Sequence, residues 1–264
     1  AKVTTGDHQA TGNSDLAIAQ TALQPLINQF SLLDNFSEVF SKKANDEIIF
    51  AIRFKDGEAT NWAGPFIYYG NIFEGQRYGR DGKLMQDTLD LKGTVGQFLH
   101  EYKKALWDSY DDEDMRRDAT FMDHYGSAQK EGFGIAMKKG IGSVNSNNQR
   151  IFDTDIIVYR YADVLLMNAE AKVRLGKDGD APLKLVRDRA KMSEIDNATV
   201  DQILDERRME LVCEWGERYN DLIRTGKAAS VLGSKGWTED KTYYPLPFDQ
   251  VSNIPSLTNE PIDE

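Results

Sequence analysis

The chain has 264 residues, of which 40% are hydrophobic and 28% charged, enough for one large globular domain or two ordinary ones. Its 32 basic and 43 acidic residues leave a net charge of −11, which argues against nucleic acid as a partner because phosphate backbones repel such a surface. Cys213 stands alone, excluding an internal disulfide and a multi-cysteine zinc site, and apolar runs such as 48–52 fall far short of the ~18 residues of a membrane span.

The opening dozen residues are polar and rich in Gly and Thr. The chain begins on Ala1 without a signal pattern, which reads as a processed form or a piece of something longer. From Ser14-Asp15 the apolar positions Leu16, Ile18, Ala19, Ala22, Leu23, Leu26, Ile27 and Phe30 recur at helical spacing, with Asp15 as N-cap. A short segment follows over 36–40. Residues 47–54 then read as a strand, being short, β-branched and aromatic.

Residues 55–90 are different in kind. Glycine, Asn, Asp and Pro65 punctuate them, so little regular structure is expected. They nevertheless carry Trp62, Phe66, Tyr68, Tyr69, Phe73 and Tyr78 among Asn61, Asn71, Arg77 and Arg80. A long loop with that aromatic content reads as functional rather than disordered. Helical spacing returns over 91–110 with Phe98, Leu99, Tyr102, Leu106 and Trp107. The acidic cluster from Asp108 to Asp118 could offer oxygen ligands to calcium, but it lacks the spacing of a calcium loop and reads first as a solvated face.

From Ile156 the helical pattern is clear. Ala162, Leu165, Leu166, Ala169 and Val173 form one stripe, whose alanines permit close helix approach. Leu175-Gly176 ends that helix, Asp180 and Pro182 open a second, and Thr199 with Gln202 forms a capping box for a third running to Leu222. Arg207 falls beside the apolar stripe of that third helix and calls for a carboxylate partner; Glu214 and Arg218 are spaced for an ion pair. This is helical-hairpin packing of the tetratricopeptide type without the strict consensus of that repeat. Catalytic patterns are absent. His8, His100 and His124 are dispersed, and no phosphate loop or nucleophile elbow occurs.

Arg160-Tyr161-Ala162-Asp163-Val164-Leu165-Leu166-Met167, with Ala169-Glu170-Ala171, resembles the RagB/SusD family of outer-membrane glycan-binding lipoproteins. The segments Val186-Arg187 with Arg189-Ala190, Glu206-Arg207-Arg208 with Glu210-Leu211, Asp221-Leu222 with Arg224-Thr225-Gly226-Lys227, and Tyr244-Pro245-Leu246-Pro247 follow in that family's order. Residues 45–52 are similar to the strand after its last repeat helix. Two features depart from the pattern. Glu214-Trp215-Gly216-Glu217-Arg218 is one residue longer, and Lys138-Lys139 stands where a Lys-Tyr pair is common.

The resemblance implies a mainly α fold with long irregular loops and a few short strands, in which tetratricopeptide-type hairpins pack against a loop-rich subdomain. It divides the chain into the last repeat element and its strand (1–54), a loop-rich glycan-binding region (55–155) and a C-terminal helical region (156–264). It also implies non-catalytic capture of oligosaccharides at the cell surface and their delivery to a SusC-like TonB-dependent porin. No cofactor is expected, and contact with the membrane would run only through a lipid anchor outside this chain. With the preceding repeat helices missing, an apolar face should lie open near residues 16–30.

Family motifs of this kind determine the fold and do not name the sugar. The site follows from physics: sugar CH faces lie against aromatic rings, and hydroxyls need polar partners. Trp62, Tyr68 and Tyr69 are the expected platforms, and Asn71, Arg77 and Tyr78 the expected hydrogen-bonders. Trp107 and Trp215 belong to helical patterns and read as core; Trp237, in a Gly/Ser/Lys loop, is a secondary platform. Two other readings stay open. One is a helical-repeat module that binds protein and has no sugar site. The other is a glycoside hydrolase using two of the many carboxylates.

Overall fold

A computed structural model describes residues 13–59, 76–85, 102–214, 217–242 and 246–254. The chain divides into a large unit, residues 11–218, and a small one built on residues 219–264. In the large unit the elements run α1 (Asn13–Leu23), α2 (Glu38–Ser41), β1 (Ile48–Ile52), α3 (Lys104–Trp107), α4 (Met115–Thr120), β2 (Phe121–His124), β3 (Gly134–Met137), β4 (Ser143–Val144), β5 (Arg150–Ile151), β6 (Ile156–Arg160), α5 (Tyr161–Arg174), α6 (Asp180–Ala190) and α7 (Val200–Glu210). The helix α8 (Glu217–Arg224) spans the boundary, and the small unit carries α9 (Ala228–Leu232) and α10 (Phe248–Asn253). Among the described residues no helix is long and apolar enough to cross a membrane.

α5 is the axis of the large unit, with α1, α6 and α7 packed around it. Its alanine-rich stripe allows this: Ala162 and Ala169 are fully buried, as are Leu166 on α5, Leu183 and Val186 on α6, and Ile203 on α7. Each of the larger side chains contributes about 1.5–3 kcal/mol by leaving water. The α5–α6 turn is close enough to require glycine, since a Cβ on Gly179 would lie 2.7 Å from the Ala169 carbonyl oxygen and 2.7 Å from Val173 Cγ2. The ends follow the expected signals. Thr199 and Gln202 complete their capping box, and Asp180 accepts the Asn197 and Ala198 amides at 2.7 and 2.9 Å. At the start of the chain, Leu16 and Leu23 are buried while Ile18 is 64% exposed, so part of the expected apolar face near residues 16–30 lies open.

Among the described residues, three two-stranded antiparallel sheets complete the unit. β1 pairs with β6 from Ile48↔Arg160 to Ile52↔Ile156, β2 with β3, and β4 with β5. Residues 102–155 thus hold more regular structure than the loop-rich reading expected, in strands too short for their periodicity to register. β2 and β3 are buried throughout, so neither shows an alternating pattern. Of the helix expected over 91–110, the described part is α3; residues 91–101 lie outside the described residues.

The third helix does not run to Leu222. It stops at Glu210, Cys213 takes a left-handed conformation (φ 64°), and α8 begins afresh at Glu217. The break is held by side chains that seize the terminal carbonyls: Arg160 Nη2 donates to Glu210 O at 2.8 Å and Lys139 Nζ to Val212 O at 3.0 Å. Glu214 therefore pairs with Arg160 and Lys139, in place of the i,i+4 pairing with Arg218 expected from spacing. Arg207 does find its carboxylates, Asp163 at 2.5 Å and Glu217 at 3.3 Å.

These contacts belong to a buried ion network. Glu47, Asp114, Glu206, Glu210 and Glu214 face Arg116, Lys139, Arg160, Arg187 and Arg189. Glu210, with no exposed surface, accepts from Arg116 at 3.1 Å, from Arg160 at 2.6 Å and from Arg189. Burial alone would raise its pKa; the Arg189, Arg160 and Arg116 charges hold it far below the usual carboxylate range. Phe36 and Phe40, edge to face at 5.4 Å, close the network on one side: Arg189 lies 4.8 Å from the Phe36 centroid and Lys139 4.5 Å from that of Phe40.

Two substitutions test this account. Glu210→Gln leaves three guanidinium groups short of a charge in the core and should cost about 3–5 kcal/mol in denaturant unfolding. Gly142, at φ 83°, would place a Cβ 2.1 Å from the Ile151 carbonyl oxygen. Gly142→Ala should force the β4–β5 ribbon open and cost about 1–3 kcal/mol.

Candidate glycan-binding surface

Residues 77–85 form a tight turn docked on the edge of the β2–β3 sheet. Met85 N donates to Arg77 O at 2.8 Å and Gly79 N to Lys83 O at 2.9 Å, with Gly82 at φ 75° turning the chain. Tyr78 and Tyr125 exchange both backbone hydrogen bonds at 2.9 Å, which extends β2 outward by one residue. The turn thereby carries Arg77 and Tyr78 to the surface beside β2.

Around it lies a cluster of rings and guanidinium groups. Arg80 donates to both Asp123 and Asp118, and its guanidinium carbon sits 5.2 Å from the Trp107 centroid. Arg117 sits 5.0 Å from the same ring and pairs with Asp112 at 2.6 Å. The hydrogen bonds to Asp123 and Asp118 raise the Arg80 pKa above its ordinary value. Tyr125 meets Phe133 at 5.7 Å, and Lys104 lies 5.9 Å over Phe133, which is 38% exposed. Such a surface can stack apolar ring faces and offer charged donors to oxygen-rich molecules.

Of the six expected site residues, Arg77 and Tyr78 fall in this cluster. Both are half-buried; the Arg77 guanidinium donates to Gln76 O at 3.0 Å and the Tyr78 hydroxyl to Gln76 Oε1 at 3.1 Å. Trp62, Tyr68, Tyr69 and Asn71 lie outside the described residues, as does Trp215. In the small unit, Trp237 is half-buried and its indole donates to the Tyr219 hydroxyl at 3.2 Å. Trp107, expected in the core, packs only partly against the Tyr110–Phe121–Ile135 cluster and gives a face to Arg80 and Arg117. Sequence alone does not single out Tyr125 and Phe133, because isolated aromatics in a Gly-rich polar stretch carry no pattern.

The acidic cluster is occupied by cations. Asp108 pairs with Lys104, Asp112 with Arg117, Asp114 with Arg116 and Asp118 with Arg80. Among the described residues no three His, Cys, Asp or Glu side chains gather as a metal-ligand group.

His124, 2% exposed at the end of β2, is held neutral: burial first and the nearby Arg77 charge second push its pKa down to about 4. The folded protein thus refuses a proton that the unfolded chain accepts below about pH 6.5. Stability should therefore fall as pH drops from about 6.5 to about 4, by ~1–3 kcal/mol after allowance for solvent screening. Urea unfolding of His124→Asn across that range should lack this component of the decline.

The SusD family model matches residues 127–244. Among curated proteins, the SusD-like protein P38 of Formosa agariphila is 37% identical over 123 residues, covering 40% of this chain and 24% of that protein. Among solved structures, NanU of Bacteroides fragilis superposes with a TM-score of 0.79 at 28% identity, covering 94% of this chain and 58% of the other. Surface glycan-binding protein A of Bacteroides thetaiotaomicron, in complex with laminarihexaose, superposes with a TM-score of 0.65 at 28% identity, covering 91% and 58%. This chain therefore spans about a quarter of the curated relative and somewhat over half of these solved ones. The motif order over residues 160–227, the helix-rich fold with few short strands and these matches agree in assigning residues 127–244 to the RagB/SusD family.

Proposed function

We propose that this chain binds oligosaccharides at the bacterial cell surface, without cleaving them, and passes them to a SusC-like TonB-dependent outer-membrane transporter. The observation that carries this reading is the similarity, at 28% identity and a TM-score of 0.65, to a glycan-binding protein solved with laminarihexaose. The surface beside β2 fits it chemically, joining the Tyr78, Trp107, Tyr125 and Phe133 rings to exposed guanidinium and carboxylate groups. In this proposal Trp62, Tyr68 and Tyr69 are the stacking platforms, and Asn71, Arg77 and Tyr78 supply hydrogen bonds.

A non-catalytic role is supported by the state of the buried carboxylates. Glu206, Glu210 and Glu214 are each spent on Arg or Lys partners, and the pKa values of Glu210 and Glu214 are held low, whereas a general acid needs a raised one. The outer-membrane location and the porin partner rest on family membership.

Titrating soluble neutral oligosaccharides into the full chain while following tryptophan fluorescence tests the reading. A saturable change weakened about tenfold in Trp62→Ala, or ~1.4 kcal/mol, with no reducing-sugar release, is the expected outcome. Release of reducing ends would favour hydrolysis. Porin binding in the absence of any glycan signal would favour the protein-binding module.

A further inference from the structure

Asp123 is the third residue of β2, and the Tyr78–Tyr125 backbone pair carries that strand on to Tyr125. Two residues apart on an extended chain, the Asp123 and Tyr125 side chains leave by the same face. Asp123 is 9% exposed, whereas the Arg80 side chain is 49% exposed and Tyr125 is half-buried. One buried carboxylate therefore stands behind two groups that reach the surface. We propose that Asp123 is the positioning residue of the surface beside β2, fixing Arg80 as a hydrogen-bond donor and Tyr125 as an acceptor toward the hydroxyls of a bound glycan. This role rests on the reading of that surface as the glycan site.

Arg80 is held on two sides. Its Nε donates to Asp123 Oδ2 at 2.9 Å and lies 2.8 Å from Oδ1, while Nη1 and Nη2 donate to Asp118 at 3.3 and 3.1 Å. Asp118 is 56% exposed and also accepts from Arg117 at 3.3 Å, so it is the looser of the two anchors. Three of the five N–H groups are thereby engaged among the described residues, and two remain to meet a ligand. An arginine immobilised in advance has little rotamer freedom left to lose when that ligand arrives. The same clasp sets the guanidinium carbon 5.2 Å from the Trp107 centroid.

Tyr125 is oriented by the same anion. Its hydroxyl donates to Asp123 Oδ2 at 3.3 Å, and a carboxylate can only accept, so the proton points inward and the oxygen lone pairs are left to a ligand. Burial first and the Asp123 charge second raise the pKa of that hydroxyl, which keeps the proton in place. Asparagine at this position could not serve both groups. Its amide nitrogen would set a donor against Arg80 Nε or against the Tyr125 hydroxyl, whichever oxygen it replaced.

Tryptophan fluorescence of the full chain, free and titrated with a soluble neutral oligosaccharide, is the test. Without ligand, Asp123→Asn should shift the emission through Arg80, and the shift should disappear when Trp107→Phe is the background. With ligand, Asp123→Asn should weaken binding about tenfold. Arg80→Lys, an exposed change that keeps the charge and loses the planar fork, should weaken it about threefold or more. In an Arg80→Ala background the cost of Asp123→Asn should shrink to about threefold or less, since one of the two groups it positions is gone. Circular dichroism checks that each variant folds. An unchanged emission in the free Asp123→Asn chain, or an equal cost of that substitution with and without Arg80, would overturn the positioning role. Wild-type affinity in Asp123→Asn or in Arg80→Lys would do the same and leave the glycan reading intact. A wild-type chain that binds no oligosaccharide at all would instead overturn the glycan reading, and with it the part given to Asp123.

Discussion

Glu210 has no contact with water and is surrounded by three guanidinium groups, and the large unit is arranged around that fact. Burying one carboxylate costs several kcal/mol, and so does burying each arginine; only mutual pairing with complete hydrogen bonding makes the cluster tolerable. The ions come from places that have nothing else in common: the residue before β1, the N-terminus of α4, the turn after β3, the last residue of β6, the last turn of α6, and α7 with the break that follows it. A hydrophobic core could have joined those elements at lower electrostatic cost, but many packings satisfy an oily surface. An ion cluster accepts few arrangements.

The network also explains why the helical layer and the small sheets form one body. α5 supplies the apolar axis, yet the β2–β3 sheet reaches α7 through Tyr110, whose hydroxyl donates to Met209 O at 2.8 Å, and through Lys139, which holds the carbonyls at the α7 break. That attachment steadies the sheet edge on which the 77–85 turn is docked. The candidate glycan surface is thus built on short, weakly periodic elements made rigid from behind by ions.

Much of the helical architecture was legible in the residues. The Ala162–Val173 stripe, the Leu175-Gly176 stop and the Thr199–Gln202 capping box are local signals written in spacing and chemistry, and the family motifs lie in the same stretch. What eluded reading were features created by partners distant in the chain. Nothing around Glu210 announces that α7 ends there, because the carbonyls at the break are satisfied by Arg160 and Lys139, 50 and 71 residues away. β2 and β3 were hidden by being buried on both faces. At the surface, Arg77 and Tyr78 could be picked out by type and neighbourhood, whereas the value of Trp107, Tyr125 and Phe133 arises only when the turn, α3 and β2 meet.

The separation between ion partners has a consequence for how the molecule reaches its native state. Arg189 meets Glu47 across 142 residues, Arg160 meets Glu47 across 113, and Arg116 meets Glu206 across 90. Each closure must be paid for in chain entropy before any reward arrives, and Glu47 meets its two arginines only across such separations. The helices of α5, α6 and α7 can collapse early on local contacts, but the charges must then be dehydrated together in a late and concerted step. Such ordering favours a high barrier and a slow return to the unfolded state.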